Sequence, residues 1–222
     1  MNNNTPIIVW IRRDFRLHDN PALKAAEETG CPVIPVFILD EVIETFGAAP
    51  KWRLDQAIQY FQASLSNIGS RLIIRQGNAL DTLAELIKET GAQSVYWSRA
   101  YDPKAISRDK KIKLELKSFD IEAKSFKGFL VFEPWLAKTK AGTFFKVYSP
   151  MWRALQAISV DPEVLDVSRL QAPDKWPRSV ALKTLELSQG MGRGAKIVHE
   201  YANIGEQNAI KRLNEFLDEK ID

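Results

Sequence analysis

Apolar residues fall along this chain in short runs that alternate with longer stretches of helical spacing. Ile7–Trp10, Val33–Leu39, Leu72–Arg75, Ser94–Trp97 and Glu122–Phe126 read as strands. The second is almost continuously apolar, as a parallel strand buried on both faces should be. Between them, Pro21–Glu28, Pro50–Leu65, Ala79–Thr90 and Pro103–Phe119 read as helices. In the second helix Leu54, Ile58, Phe61 and Leu65 form one stripe, and in the third Leu80, Leu83, Leu86 and Ile87 do the same. Asn20 before Pro21 and Asp102 before Pro103 are helix starts, a capping side chain followed by proline in the first turn. Gly30 stops the first helix. Strand and helix in strict alternation predict an α/β fold: a Rossmann-like sheet of five parallel strands with helices on both faces and right-handed crossovers.

After Phe126 the rhythm breaks. Residues 128–145 are irregular and aromatic, Ser149–Ile158 reads as a helix, and residues 159–193, with Pro162, Pro173 and Pro177, show little periodicity. The glycine-rich Gly190–Gly194 follows no strand and reads as a flexible lead-in to a last amphipathic helix, Gly205–Lys220, whose Ala209, Leu213, Phe216 and Leu217 share one side. The expected division is an α/β domain over 1–130, a linker over 131–193, and the start of a helical domain over 194–222.

The chemistry of the first loop is unusual for such a sheet. No G-x-G-x-x-G follows the first strand. Arg12-Arg13-Asp14 stands there instead, which disfavours a standard dinucleotide site, and there is no P-loop. Asp14 is expected to pair with a local arginine and His18 to order the turn. The two histidines, His18 and His199, stand far apart with no nucleophile motif beside them, so hydrolytic catalysis is not indicated. Trp10, Trp97 and Trp135 are expected to pack the core and a domain seam.

Composition narrows the class. A 45% hydrophobic and 27% charged content suits a globular chain with a real core, and no apolar run is long enough to span a bilayer. Residues 1–5 lack the basic and apolar regions of a secretory signal, and the lone Cys31 excludes a disulfide framework, so a cytoplasmic protein is expected. The net charge of +3 is weakly basic and does not by itself indicate nucleic-acid binding. Lys110, Lys111, Lys113 and Lys117 recur at helical spacing with Glu115 among them and read as a solvated helix face.

The string Trp10–Leu23, W-I-R-R-D-F-R-L-H-D-N-P-A-L, resembles the opening of the DNA photolyase and cryptochrome family, with Phe15 where leucine is common. Three later segments resemble the same family in order: Gly47–Arg53, Val95–Pro103 followed by Arg108-Asp109, and Phe145–Trp152. The resemblance implies a Rossmann-like domain that holds a light-harvesting dye. It implies that the whole enzyme binds FAD in a helical domain and splits pyrimidine dimers in damaged DNA. Family members run to roughly twice this length, so the chain is expected to be the amino-terminal half of a class I photolyase. By itself it should bind no FAD and carry no catalytic residue, and its last helix should expose an apolar face through which it could associate.

The family holds its antenna, a deazaflavin, a flavin or a folate, in one of two pockets. Against the folate pattern, Phe46 replaces a histidine and Ala105 a glutamate. Against the deazaflavin pattern, Ala100 replaces the first of two acids while Asp102 keeps the second. The resemblance therefore nominates Phe37, Ile38, Leu39 and Trp52 as walls for a flat ring, Arg12 and Arg53 for its acidic tail, and Asp102 for its polar edge. The same residues also suit an ordinary sheet–helix core with a capped edge. Two other functions remain open: a cryptochrome-type blue-light receptor fragment, and a nucleotide-binding α/β module without catalysis.

Overall fold

The computed structural model describes residues 5–139, 141–160 and 166–220. Pro162 of the expected linker and the first four residues lie outside them. Five parallel strands, β1 (Ile7–Ile11), β2 (Val33–Leu39), β3 (Ile73–Gln76), β4 (Ser94–Ser98) and β5 (Glu122–Phe126), stand in the order β3-β2-β1-β4-β5. The connecting helices are α1 (Pro21–Glu27), α2 (Ala48–Asn67), α3 (Ala79–Thr90) and α4 (Pro103–Ser118). The expected sheet and its two helical layers are therefore present.

The strands alternate as their period of two demands. Ile7, Val9 and Ile11 face one cluster with Val33, Phe37, Leu39, Ile74, Tyr96 and the apolar sides of α1 and α2. Ile8 and Trp10 face the other with Ile34, Val36, Ile38, Trp97, Leu83 and Leu86 of α3, and Ile112 and Leu116 of α4. Cys31 is buried in the first cluster.

Helix boundaries match the capping chemistry. Asn20 accepts the Leu23 N–H at 3.1 Å and Asp102 the Ala105 N–H at 2.9 Å. Helix α2 begins at Ala48, two residues before the expected Pro50, because proline in the first turn forfeits no intrahelical hydrogen bond. Gly91 closes α3 at φ +69°, a left-handed conformation that costs glycine little.

Beyond β5 come α5 (Tyr148–Gln156), α6 (Arg193–His199) and α7 (Glu206–Lys220). Two expectations need correction. The segment Gly190–Gly194 forms a 3-10 turn and the first turn of α6, where a flexible lead-in was expected. Trp135 does not pack into a core: half of it is exposed, with the Arg99 guanidinium 5.5 Å above its ring. Residues 166–187 form a strap whose Val167, Leu170, Leu185 and Leu187 join the first cluster, on the α1/α2 face, while Trp176 packs against the second. Polar clamps fasten the same strap. Glu27 accepts the N–H groups of Ser168 and Arg169 at 3.1 Å, and Glu89 that of Arg178 at 2.7 Å. Helix α7 buries no residue, and Leu213, Phe216 and Leu217 are exposed along it. No helix among the described residues is long and apolar enough to cross a membrane.

Candidate functional site

Strand order reverses direction between β1 and β4, where the β1 connection leads one way and the β4 connection the other. A crevice at the carboxyl ends of strands flanking such a reversal is the usual ligand position in an open α/β sheet. A cavity of about 230 Å³ lies there. Arg12 and Arg13 after β1, Asp40, Val42 and Ile43 after β2, and Ala100, Tyr101 and Asp102 after β4 line it, with Ala105 and Arg108 from α4 and Phe129 from beyond β5.

Its floor is a chain of buried charge. Arg12 reaches both carboxylate oxygens of Asp109 through Nη1, at 3.0 and 2.8 Å, and the Ser98 carbonyl through Nη2. Arg108 binds Asp109 Oδ1 from Nε and Nη2 at 3.2 and 3.1 Å and also pairs with Asp40. Both guanidiniums lie over the Trp10 ring, at 4.9 and 4.7 Å from its centroid. Asp14 is buried beneath and accepts the Arg12 backbone N–H at 3.0 Å and the Ser98 hydroxyl at 2.6 Å. The expected Asp14–arginine pair is thus corrected: a backbone amide and a hydroxyl hold this carboxylate. His18 donates its backbone N–H to Glu206 at 2.7 Å, and its Nδ1 lies 2.6 Å from Asp166.

Burial acts on these charges in opposite senses by sign. Desolvation pushes the Asp40 carboxyl above its ordinary value, and Arg108 only partly offsets this. Desolvation lowers the Arg12 guanidinium despite the attraction of Asp109. Two hydrogen bonds from Arg12 Nη1, one to each Asp109 oxygen, offset part of its removal from water.

Two polar atoms of the lining residues lack hydrogen-bond partners: Arg12 Nε, a donor, and Asp102 Oδ2, an acceptor whose one ionic neighbour is Arg13. Arg13 Nη2 stands 3.7 Å from Asp102 Oδ2, beyond hydrogen-bond reach. Buried polar atoms of native proteins are normally satisfied, so such orphans mark places where a ligand or water completes the bonding. Val42, Ile43, Ala105 and Phe129 supply apolar wall. The arrangement suits a flat heterocycle with one polar edge. It has no nucleophile–base pair, and no cluster of three or more metal-ligating side chains occurs among the described residues.

The structure brings two of the seven nominated residues to this cavity, Arg12 and Asp102. Both terminal nitrogens of Arg12 are committed to Asp109 and Ser98, so little of its charge is free for a phosphate. Phe37 and Leu39 face the α1/α2 cluster and Ile38 the α3/α4 cluster, all as sheet core. Trp52 is buried on α2 and Arg53 is exposed on the same helix, and neither lines the cavity. Sequence reasoning passed over Asp40, Val42, Ile43, Tyr101 and Phe129. The available signal was positional, since Asp40 and Val42 follow β2 as Arg12 follows β1.

Comparison with known proteins gives one family. Residues 7–173 match the family described as DNA photolyase. The chain is 39% identical over 214 residues to a deoxyribodipyrimidine photo-lyase of Agrobacterium fabrum, covering 96% of this chain and 45% of that protein. It is 32% identical to cryptochrome-2 of Arabidopsis thaliana, covering all of this chain and 37% of that protein. In three dimensions it resembles a bacterial class III photolyase from Agrobacterium tumefaciens with a TM-score of 0.91 at 38% identity, covering 97% of this chain and 45% of that one. The chain therefore spans less than half the length of these relatives.

Proposed function

The chain belongs to the DNA photolyase family, and from that premise we propose that it is the half of a light-driven pyrimidine-dimer lyase that carries the antenna chromophore. The observation that carries this reading is the cavity at the β1/β4 reversal, apolar on its walls and left with one donor and one acceptor that lack hydrogen-bond partners. A deazaflavin or flavin ring fits those features, with Asp102 accepting from its polar edge, Arg12 Nε donating to it, and Val42, Ile43 and Phe129 excluding water from its faces. A folate is less suited, because Phe46 and Ala105 replace the residues its family pattern calls for. When bound, the dye would supply absorption of light and transfer of excitation energy. The protein's own task is to hold the ring rigid and dry, which needs no covalent chemistry.

Dimer cleavage and the catalytic FAD belong, on this proposal, to sequence found in the longer relatives. The isolated 222-residue chain should hold no stoichiometric FAD and repair no dimers. The reading is tested by incubating the purified chain with a deazaflavin or with FMN, removing free dye by gel filtration, and recording the visible absorption band. A stoichiometric band supports the antenna role. Stoichiometric ATP binding without retained dye would replace it with a nucleotide-binding module. A sensory, cryptochrome-type role is the second reading, and the 32% identity to cryptochrome-2 over the whole of this chain supports it.

A further inference from the structure

Helix α4 concentrates the protein's positive charge. It holds six basic residues against two acidic ones, a net +4 within 16 residues, whereas the whole chain carries only +3. Two of the six basic residues are engaged at the sheet: Arg108 with Asp40 and Asp109, and Lys113, which donates to Ser125 at 2.8 Å and lies over the Trp97 ring. The other four, Lys104, Lys110, Lys111 and Lys117, are exposed and form no ion pair among the described residues. Asp109 is already held by Arg12 and Arg108, which leaves Glu115 as the helix's only uncommitted acid.

The spacing arranges these lysines. Lys104 and Lys111 are seven residues apart, as are Lys110 and Lys117, so each pair lies on one line of the helix about 10 Å long. The two lines flank the outward ridge of Ser107, Leu114 and Ser118 and together span ~20 Å, the length of about six base-pair steps of a duplex. This ridge lies on the α3/α4 side of the sheet, whereas Val167, Leu170, Leu185 and Leu187 of the strap pack on the α1/α2 side. No other helix among the described residues carries a comparable excess of charge.

We propose that the outer face of α4 is a docking surface for the phosphate backbone of duplex DNA, separate from the dye cavity and independent of base sequence. Lysine ammonium groups gain most of such affinity by releasing condensed counterions, and the intervening Ser107 hydroxyl can donate to a phosphate oxygen, that of Ser118 being given to the Glu115 carbonyl at 2.7 Å. An anionic membrane is the less favoured polyanion. A helix lying in a bilayer surface needs its apolar face free, and the apolar face of α4, formed by Ala105, Ile112 and Leu116, is spent on the sheet. The choice of DNA among polyanions rests on the repair role proposed above.

The test measures binding of the 222-residue chain to a fluorescently labelled, undamaged duplex in the dark, without dye, over a range of salt. Its outcome is therefore independent of whether the cavity holds a chromophore. Replacing Lys104, Lys110, Lys111 and Lys117 together by Gln should weaken binding at least about tenfold at low salt. It should also flatten the slope of log K against log salt by roughly 0.9 for each phosphate that is no longer neutralised. A control that replaces the exposed Lys138, Lys175, Lys183 and Lys196 by Gln removes the same charge and should stay within about twofold of the parent. Glu115→Lys should tighten binding, and this gain would not be mimicked by a folding defect. The proposal is overturned if the parent binds no duplex, if the two quadruple variants weaken binding equally, or if Glu115→Lys leaves it unchanged. It is also overturned if the α4 variant loses phosphatidylserine vesicles while its DNA binding is intact.

Discussion

Residues 5–126 and residues 127–220 contain similar proportions of apolar residues and dispose of them differently. In the first region the large apolar side chains close into two clusters, one on each face of the sheet, and Tyr60, Ile106, Leu114 and Phe119 are the large ones left exposed. In the second, Trp135, Phe144, Tyr148, Trp152, Tyr201 and Phe216 are among many that face solvent, while Val167, Leu170, Leu185 and Leu187 reach the core of the first region. The second region owes its position to the first. Its attachments include a few apolar side chains, carboxylates that catch backbone N–H groups (Glu27, Glu89 and Glu206), and backbone bonds such as Val33 N–H to the Gln171 carbonyl and Val180 N–H to that of Ile74. A sheet with helices on both faces is self-sufficient because each layer buries the other. A strap has no second layer of its own and borrows one.

Large-to-small substitutions give the widest test of that contrast. Phe37→Ala should cost about 3–5 kcal/mol, because Phe37 is fully buried in the sheet. Phe216→Ala should stay within ~0.5 kcal/mol, since its ring is half exposed on α7. Chemical denaturation of the two variants checks both, and comparable losses would erase the distinction. Asp109→Ala should follow closely at about 3 kcal/mol, because it strands the buried Arg12 and removes one partner of Arg108.

Acid should act on the strap before the sheet. Desolvation raises the carboxyls of Glu27 and Glu89, but the hydrogen bonds they accept outweigh it, so both lie below the ordinary 4.5. A depressed carboxylate contributes stability that is present above 4.5 and is lost as pH falls through its folded value. Amide protection factors, corrected for the intrinsic rate at each pH, should therefore fall in residues 166–180 on acidification below 4.5 while β1, β2 and β4 keep theirs. Simultaneous loss in both regions would contradict this. The smallest effect is expected from Glu206→Gln, about 1 kcal/mol or less, seen as faster exchange at Leu17 and His18, whose N–H groups Glu206 accepts at 3.0 and 2.7 Å.

The same contrast explains what the sequence made legible. The strands and first four helices stand out because each carries its own period, cap or stop: Asn20 before Pro21, Asp102 before Pro103, and Gly30 after α1. Their parallel pairing follows from alternation. The short helix α6 has no such signal, since its seven residues bury nothing and the residue that caps it, Gly192, has no side chain to do so. The cavity was legible only in its position at the strand ends. Phe37, Ile38 and Leu39 look like a wall when read as a run, but the pleat sends alternate residues to opposite faces and all three into core. Asp40, Arg108 and Phe129 meet there only because the strand order brings their loops together, and no local pattern announces that. Arg12 and Asp102 were accessible because each directly follows or caps an element whose end could be read.

The central claim is that the crevice where β1 and β4 diverge is the dye seat of this chain. Backbone amide chemical-shift mapping of the labelled protein during titration with a deazaflavin tests it most directly. The account predicts saturable shifts confined to residues 12–14, 40–43, 100–105 and Phe129. Shifts centred on the exposed faces of α6 and α7, or scattered without saturation, would contradict it.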